Sequence, residues 1–265
     1  YIVMNPKVSN KSENDGILNF TLSQTNVSIA NAIRRVILSD IPAIVFRTFT
    51  HDDNHVNITK NTTRLTNEMI KQRVGCVPIH METDAPIDNY EIIVNVKNNT
   101  NETMYITTKD FKIKDKALDK FLSEPEQKRI FPPNEITGDY IVIARLLPGF
   151  EKTEGQSLSF TATLDIGSAK EDGMYAVAST SCYANTIDPE KVSAAWNTEN
   201  SKLEADGFTK DEIDSYKKNW LVSKSERYYF EDSFDFKIET IGVYENDELV
   251  KEACDIIINK IEKFN

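Results

Sequence analysis

The side chains best suited to chemistry lie in one short stretch, in which two histidines enclose two aspartates. His51 and His55 flank Asp52, Asp53 and an asparagine, and imidazole and carboxylate groups both bind divalent metals. The spacing does not match a closed zinc site, and no third His or Cys lies near it. We therefore expect a solvated loop or strand edge here, and no metal.

The sequence contains no other arrangement that is typical of catalysis. A glycine-rich phosphate loop, the G-x-S-x-G and H-E-x-x-H motifs and a zinc set of Cys and His are all absent. With three histidines in the chain, acid–base chemistry has few candidates. We expect no catalytic residue, no cofactor and no metal site in this chain.

Length and composition favour two small domains, or one domain interrupted by another. The chain has 265 residues, of which 40% are hydrophobic, and a net charge of -11. Such an acidic chain is a poor candidate for nucleic-acid contact, because phosphate contacts need clustered Lys and Arg. Three cysteines far apart fit a reducing, intracellular compartment, and each is expected to be a small buried apolar residue. No apolar run is long enough to predict a membrane partner.

The strongest candidate binding residues lie on an amphipathic helix before Pro42. Asn26 or Ser28 can cap its first turn, and the proline ends it after about three turns. Four residues recur at helical spacing and form one apolar face: Ile29, Ile33, Val36 and Ile37. Three polar residues fall mostly outside that face: Asn31, Arg34 and Arg35. The pattern alone favours a core helix with a solvated basic edge.

Periodicity and turn signals predict the remaining elements. Strands are expected over residues 18–22, 43–49, 90–96, 104–108, 140–147, 157–164, 175–182 and 234–241. Helices are expected over 67–74, behind a Thr66 cap, and over 115–122. Residues 186–228 are expected to form two more helices, which dock through Trp196, Tyr216, Trp220 and Leu221. The first 16 residues are polar and are expected to form turns.

The last predicted helix, over residues 246–264, has an apolar stripe wider than one buried face requires. The stripe consists of Leu249, Val250, Ala253, Cys254, Ile256, Ile257, Ile258 and Ile261. We expect one side of this helix to pack on its own sheet and another side on a second chain. A helix buried entirely within a monomer is the alternative that the pattern leaves open.

Two blocks of the sequence resemble the signatures of the RNA polymerase α-like subunits. The first is IANAIRRVILSDIP over residues 29–42, and the second is NTTRLTNEMIKQRVGCVPIH over residues 61–80. Shorter similarities follow in the order of the family over residues 105–110, 141–149, 167–170 and 234–242. The family includes the bacterial α subunit, the third-largest subunit of eukaryotic RNA polymerase II and the archaeal counterpart of that third-largest subunit.

The resemblance implies an α+β fold in which a dimerisation domain is interrupted by a mostly β insert domain. The dimerisation domain is expected over residues 1–48 and 183–265, and the insert domain over 49–182. Relatives often carry a cysteine-rich metal loop after the second block, but residues 81–90 contain no cysteine. This departure from the family is a second reason to expect no metal.

The resemblance further implies a non-catalytic assembly subunit of a multisubunit DNA-directed RNA polymerase, the nucleotidyltransferase complex of transcription. The expected partners are a smaller α-like subunit, separate or fused, the β-like second-largest subunit, the largest subunit and small zinc-binding subunits. Direct sequence-specific contact with nucleic acid is not expected. The expected location is the nucleus for a cellular eukaryote, or the host cytoplasm or virion for a large DNA virus.

Together with the apolar patterns, the resemblance assigns residues to two partner surfaces. Pairing with the smaller α-like subunit is expected from Ile29, Ile33, Arg34, Val36, Ile37, Leu249, Ile256, Ile257 and Ile261. For Arg34, bracing of the fold is the alternative. Contact with the β-like subunit is expected from Asn31, Arg35, Glu68 and Arg73.

Two other functions are open at this point. The chain could be a free-standing interaction module on the same fold, or, from a different class, a small stand-alone enzyme. Co-purification with the β-like and largest subunits separates an assembly subunit from a free module. Turnover by the purified chain alone would indicate an enzyme.

We predict that the purified chain contains no stoichiometric zinc or iron, because the segment that holds a metal in relatives has no cysteine. Elemental analysis of the protein measures this directly. A result of about one metal ion per chain would contradict the prediction and direct attention to His51, His55 and His80.

Overall fold

The computed structural model describes residues 5–50, 52–150 and 153–263 and combines helices with several antiparallel sheets, which confirms the predicted α+β class. The chain divides into two compact units. Unit one comprises the described residues of 1–37, 178–240 and 246–265, and unit two comprises those of 38–177 and 241–245. The predicted boundaries of a dimerisation and an insert domain stay a prediction.

The strands are numbered in chain order. They are β1 (Lys7–Asn14), β2 (Ile17–Ser23), β3 (Pro42–Val45), β4 (Val56–Asn61), β5 (Tyr90–Lys97), β6 (Met104–Thr107), β7 (Lys112–Asp115), β8 (Lys120–Phe121), β9 (Val142–Leu146), β10 (Ser157–Thr163), β11 (Asp165–Ser168), β12 (Ala178–Ile187) and β13 (Tyr229–Thr240). The helices are α1 (Val27–Ser39), α2 (Asn67–Gly75), α3 (Glu124–Ile130), α4 (Pro189–Ala205), α5 (Lys210–Lys224) and α6 (Asn246–Glu262).

Unit one is built on a four-stranded antiparallel sheet in the order β1-β2-β13-β12. Strands β2 and β13 each bury alternate apolar side chains, as the period of two in their sequences predicts. Phe20 lies directly opposite Phe236 in the register of the two strands, and their rings stack with centroids 5.0 Å apart. Because this pair is buried, it joins the two central strands by side-chain packing as well as by backbone hydrogen bonds.

Helix α6 packs against β2 and β13 and buries Leu249 and Ala253. Its first residue, Asn246, is buried and has three hydrogen bonds that attach this end of the helix to the sheet. The side-chain oxygen accepts from the N–H of Thr240 at 2.9 Å, and the side-chain nitrogen donates to Glu13 at 2.7 Å and to the carbonyl of Gly16 at 2.9 Å. The start of α6 is therefore held by both the β1–β2 turn and the end of β13.

Helices α4 and α5 pack together through a small aromatic core of their own. Trp196, Leu203, Ile213 and Trp220 are buried there, and the two indole rings lie 5.4 Å apart. The predicted capping box is present, since the N–H and hydroxyl of Thr209 both donate to Glu212. Leu221 was expected to dock these helices, but its side chain is 39% exposed on the outer side of α5.

Unit two contains a five-stranded sheet in the order β4-β10-β5-β7-β8 and two short antiparallel pairs, β3 with β11 and β6 with β9. Four phenylalanine side chains form the centre of its core. The ring of Phe111 contacts Phe46, Phe131 and Phe160 edge-on, with centroids 5.3 to 6.1 Å apart. Edge-to-face contacts add stabilisation beyond the burial of apolar area.

Two secondary-structure predictions were wrong. Residues 7–14 form the edge strand β1, although its residues are exposed and carry no apolar alternation. Residues 115–122, expected to be a helix, form the end of β7, a turn and β8. The carboxylate of Asp115 accepts from the N–H groups of Ala117 and Leu118, and Asp119 has a φ of 50°; this local turn competes with a helix.

The cysteines also differ from expectation. Cys76 and Cys182 are exposed, and Cys254 is half-buried. Cys76 follows the last residue of α2, and Cys182 points away from the buried face of the edge strand β12, where its neighbour Ser181 is buried. Among the described residues, no helix is both long and apolar enough to cross a bilayer.

We predict that Phe111→Ala lowers the free energy of unfolding by about 3–5 kcal/mol, because it removes a fully buried ring from a packed aromatic core. Phe121→Ala is the matched control, since this ring is 57% exposed and its loss should change stability by about 0.5 kcal/mol or less. Urea denaturation followed by fluorescence measures both variants. Equal effects of the two substitutions would contradict the assignment of Phe111 to the core.

Candidate partner-binding surfaces

The apolar face of α1 is largely inside the chain. Asn26 caps the helix, since its side-chain oxygen accepts from the N–H of Ile29 at 3.0 Å. Three residues expected to pair with the smaller subunit are almost completely buried, with exposed fractions of 7% for Ile33, 6% for Val36 and 1% for Ile37. These side chains belong to the chain's own core, and of the predicted stripe only Ile29, at 38%, reaches the surface.

Asn31, predicted to contact the β-like subunit, and Arg34, predicted to brace the fold or to contact the smaller subunit, form one hydrogen-bonded pair. The Nε and Nη2 groups of Arg34 donate to Asn31 Oδ1 at 3.1 and 2.9 Å across one turn of the helix. Arg35 follows about 100° around the helix and is exposed. The structure thus shows the Arg34 side chain bonded along α1 and Arg35 on an exposed side of the helix. Their assignments to partners stay predictions.

Helix α6 has two apolar stripes. The first, at Leu249 and Ala253, is buried against its own sheet, so Leu249 is a core residue and not an interface residue as predicted. The second lies about 100° around the helix, one residue further on. It consists of Val250, Cys254, Ile258 and Ile261, of which the last two are 51% and 58% exposed. Burial raises the pKa of the Cys254 thiol, which therefore stays neutral within this apolar stripe.

Ile256 and Ile257 are half-buried. Ile256 lies two turns beyond Leu249 on the same side of α6, and Ile257 lies between the two stripes. Together with Ile29 and Ile261, they are the predicted pairing residues with apolar surface left to offer a partner. Apolar side chains in such number on the outside of a helix are typical of a protein–protein interface.

The second predicted surface includes residues of α2, in unit two. Both Glu68 and Arg73 are exposed. The carboxylate of Glu68 accepts hydrogen bonds from the Glu68 backbone N–H and from the Thr66 hydroxyl, and these bonds hold the pKa of Glu68 below its ordinary value. The carboxylate thus interacts with the first turn of α2. Arg73 donates to the carbonyl oxygen of Val142 at 3.4 Å. Asn31 and Arg35 lie in unit one.

A polar cluster that sequence reasoning missed connects β3 to β11. Arg47 donates through Nε to Asp165 at 2.6 Å, through Nη1 to Glu171 at 2.8 Å and through Nη2 to the carbonyl of Ile166 at 3.0 Å. The hydrogen bonds to Asp165 and Glu171 raise the pKa of the Arg47 guanidinium. Partial burial alone would raise the pKa of Asp165, but hydrogen bonds from Arg47 and from the Ile166 N–H outweigh it and hold that pKa below its ordinary value.

The histidine and aspartate stretch lies next to this cluster. Asp53 approaches Arg47 to 3.9 Å, and Nδ1 of His55 lies 4.0 Å from Asp165. His51 lies outside the described residues. Within the part of the chain that the structure describes, no group of His, Cys, Asp and Glu side chains has the arrangement of a metal site. The described residues of this stretch form an exposed turn and loop before β4, the solvated loop that the sequence predicts, and Asp53 and His55 lie at the edge of the Arg47 cluster.

Comparison with known proteins identifies the family of the chain. Residues 19–261 match the family described as the RNA polymerase Rpb3/Rpb11 dimerisation domain. Subunit 3B of DNA-directed RNA polymerases IV and V from Arabidopsis thaliana is 25% identical over 97% of this chain and 89% of the relative. DNA-directed RNA polymerase subunit Rpo3 is 23% identical in Pyrococcus horikoshii, over 97% of this chain and 95% of the relative. In Methanobrevibacter smithii the same subunit is 24% identical, over 96% of this chain and 95% of the relative.

We predict that Asp165→Asn destabilises the protein by about 1 kcal/mol at pH 7, a value reduced for solvent screening because the side chain is 35% exposed. Since the pKa of Asp165 is lower in the folded than in the unfolded chain, the charged carboxylate stabilises the fold above a pH of about 4. That stabilisation is lost as the pH falls through the folded-state pKa of Asp165. The free energies of unfolding of the wild type and of Asp165→Asn should therefore converge in acid.

Urea denaturation at pH 7 and at successively lower pH tests this dependence. Asp84→Asn, in the same unit, is the control, because Asp84 is an exposed carboxylate outside the Arg47 cluster. A difference between wild type and Asp165→Asn that stays constant with pH would contradict the electrostatic explanation.

Proposed function

The chain belongs to the family of RNA polymerase Rpb3/Rpb11 dimerisation domains, and on that premise we propose that it pairs with a smaller α-like subunit to form the platform for polymerase assembly. It is an α-like, non-catalytic subunit of a DNA-directed RNA polymerase, and it has a dimerisation partner in that complex. Because the match spans nearly the whole chain, a free-standing interaction module and a stand-alone enzyme are not favoured.

The observation that carries the pairing proposal is the second apolar stripe of α6. Helix α6 uses Leu249 and Ala253 to pack on its own sheet, and yet Ile258 and Ile261, on a different side of the helix, remain more than half exposed. A helix that had to satisfy only its own core would need one stripe. We assign the second stripe, together with Ile29 on α1, to the smaller α-like subunit, which is either a separate chain or fused to this one.

We further propose that the pair recruits the β-like second-largest subunit and then the largest subunit, with small zinc-binding subunits as additional neighbours. Arg35, Asn31, Glu68 and Arg73 are the residues we assign to the β-like contact. Arg35 supports this assignment, because its exposed guanidinium offers a planar set of donors that suits carboxylates and carbonyls of a partner. We expect the complex inside the cell, in the nucleus of a eukaryote or in the host cytoplasm or virion of a virus.

We predict that Ile261→Asp weakens pairing with the smaller α-like subunit by about 2–5 kcal/mol, because it places an unpaired carboxylate in an apolar contact. Ile29→Asp should also weaken this pairing. Val222→Asp on α5 is the matched control, since this side chain is 79% exposed in unit one and lies outside the proposed interface. Sedimentation of the co-expressed pair on dilution gives the affinity, and wild-type affinity of Ile261→Asp would count against the interface.

We predict that Arg35→Ala leaves the α-like pair intact but reduces recruitment of the β-like subunit, and that Arg35→Lys does the same, because an ammonium cannot reproduce a planar fork. Arg227→Ala, an exposed arginine of unit one outside the proposed contact, should have no effect. Reconstitution with purified subunits measures both steps. Normal recruitment, or simultaneous loss of pairing and recruitment, would show that the assignment of Arg35 is wrong.

A further inference from the structure

A cleft in unit two brings three arginines together. It has a volume of about 240 Å³, and its lining includes Arg64 before α2, Arg73 in the last turn of α2 and Arg145 on β9. The aliphatic side chains of Leu65 and Val142 also line it. The cleft therefore combines cationic groups with a small apolar surface.

The backbone places these groups with a defined geometry. Arg145 lies directly opposite Tyr105 in the antiparallel pair β6–β9, so both side chains emerge on the same face of that ladder. Arg73 donates to the carbonyl oxygen of Val142 on β9 at 3.4 Å, which holds its side chain against the same strand. Gln156 also lines the cleft, and its side-chain oxygen accepts from the N–H of Leu147 at 2.9 Å.

The charge of the cleft is opposite to that of the protein. The chain has a net charge of -11, yet no aspartate or glutamate from the described residues lines this cleft. Within the described ranges, none of its three arginines forms an ion pair, whereas Arg47 has three acidic groups within 4 Å. Like charges placed side by side repel one another, so an anion that enters between them is stabilised by all three.

We propose that this cleft binds a short acidic segment of another polymerase subunit. In this arrangement, carboxylates of the segment accept from the guanidinium groups of Arg64, Arg73 and Arg145, and an apolar side chain contacts Leu65 and Val142. The inference deepens the proposed function and rests on it, because it states which chemistry a partner presents at Arg73.

Size and charge favour an acidic peptide over two other anions. The volume is smaller than the roughly 300–1,000 Å³ of pockets that enclose a cofactor or other small molecule. A nucleic acid needs a much longer positive surface, and the field of an acidic chain opposes the approach of a long polyanion. A short peptide meets the arginines locally, because charges beyond about 8 Å are largely screened at physiological ionic strength.

The first experiment identifies the occupant without changing any arginine. The photo-reactive residue p-benzoylphenylalanine replaces Tyr105 in the full chain, the polymerase is assembled with all its subunits, and cross-linked peptides are sequenced by mass spectrometry. We expect a peptide of another subunit with clustered aspartate or glutamate next to an apolar residue. A cross-link to nucleic acid, to a peptide without acidic residues, or to nothing would overturn the proposal.

The second experiment measures the contribution of the charges. The triple variant Arg64→Ser, Arg73→Ser, Arg145→Ser is compared with Lys109→Ser, Lys112→Ser, Lys128→Ser, which changes the net charge equally at a smaller cleft of the same unit. We expect the arginine variant to weaken retention of the cross-linked subunit by about 10- to 100-fold, more at low than at high salt, and the lysine variant to retain it. Equal behaviour of the two variants would overturn the proposal.

A control measurement keeps this test separate from the proposed function. Pairing with the smaller α-like subunit is measured in the same preparations, and both triple variants should retain it. If the wild-type chain fails to pair, the proposed function is wrong; if it pairs but gives no acidic cross-link, only the proposal for the cleft is wrong. If the arginine variant does not fold, the cross-linking experiment, in which all three arginines are present, decides whether the cleft binds an acidic segment.

Discussion

The pairing of β2 with β13 is the interaction on which unit one depends. It aligns Phe20 with Phe236 and creates the apolar face on which α6 packs. Side chains of a strand alternate between its two faces, so a shift of register by one residue would turn every buried phenylalanine and leucine toward solvent. Since α6 rests on this face through Leu249 and Ala253, the register also determines which side of the helix stays exposed.

The two proposed partner surfaces are suited to different tasks. Apolar contacts such as those offered by Ile258 and Ile261 supply affinity, because they remove apolar area from water without a directional requirement. Arginines such as Arg35 supply orientation and discrimination, because their hydrogen bonds require acceptors in matching positions. A subunit that assembles in one arrangement benefits from both kinds of contact.

The elements with a periodic apolar signal were predictable from the sequence, and those without one were not. The periodicities of β13, α1 and α6 and the capping box of α5 correspond to the observed elements. The edge strand β1 has exposed residues throughout, so it has no buried face to impose a pattern. The ion pair between Arg47 and Asp165 joins residues 118 positions apart, for which sequence spacing carries no information. The sequence also could not separate Ile33, which the chain buries itself, from Ile29, which it leaves exposed.

The division of unit one into separate segments has a consequence for the order in which the protein folds during synthesis. Unit two is almost contiguous, since all but five of its residues lie between 38 and 177. Its sheet can therefore form while the chain is still on the ribosome. Strand β2 must wait for β13, which emerges more than 200 residues later, and this long loop makes its closure intrinsically slow. During that interval the apolar side chains of β2 and α1 lack their final contacts, and a nascent chain in this state is a natural substrate for chaperones.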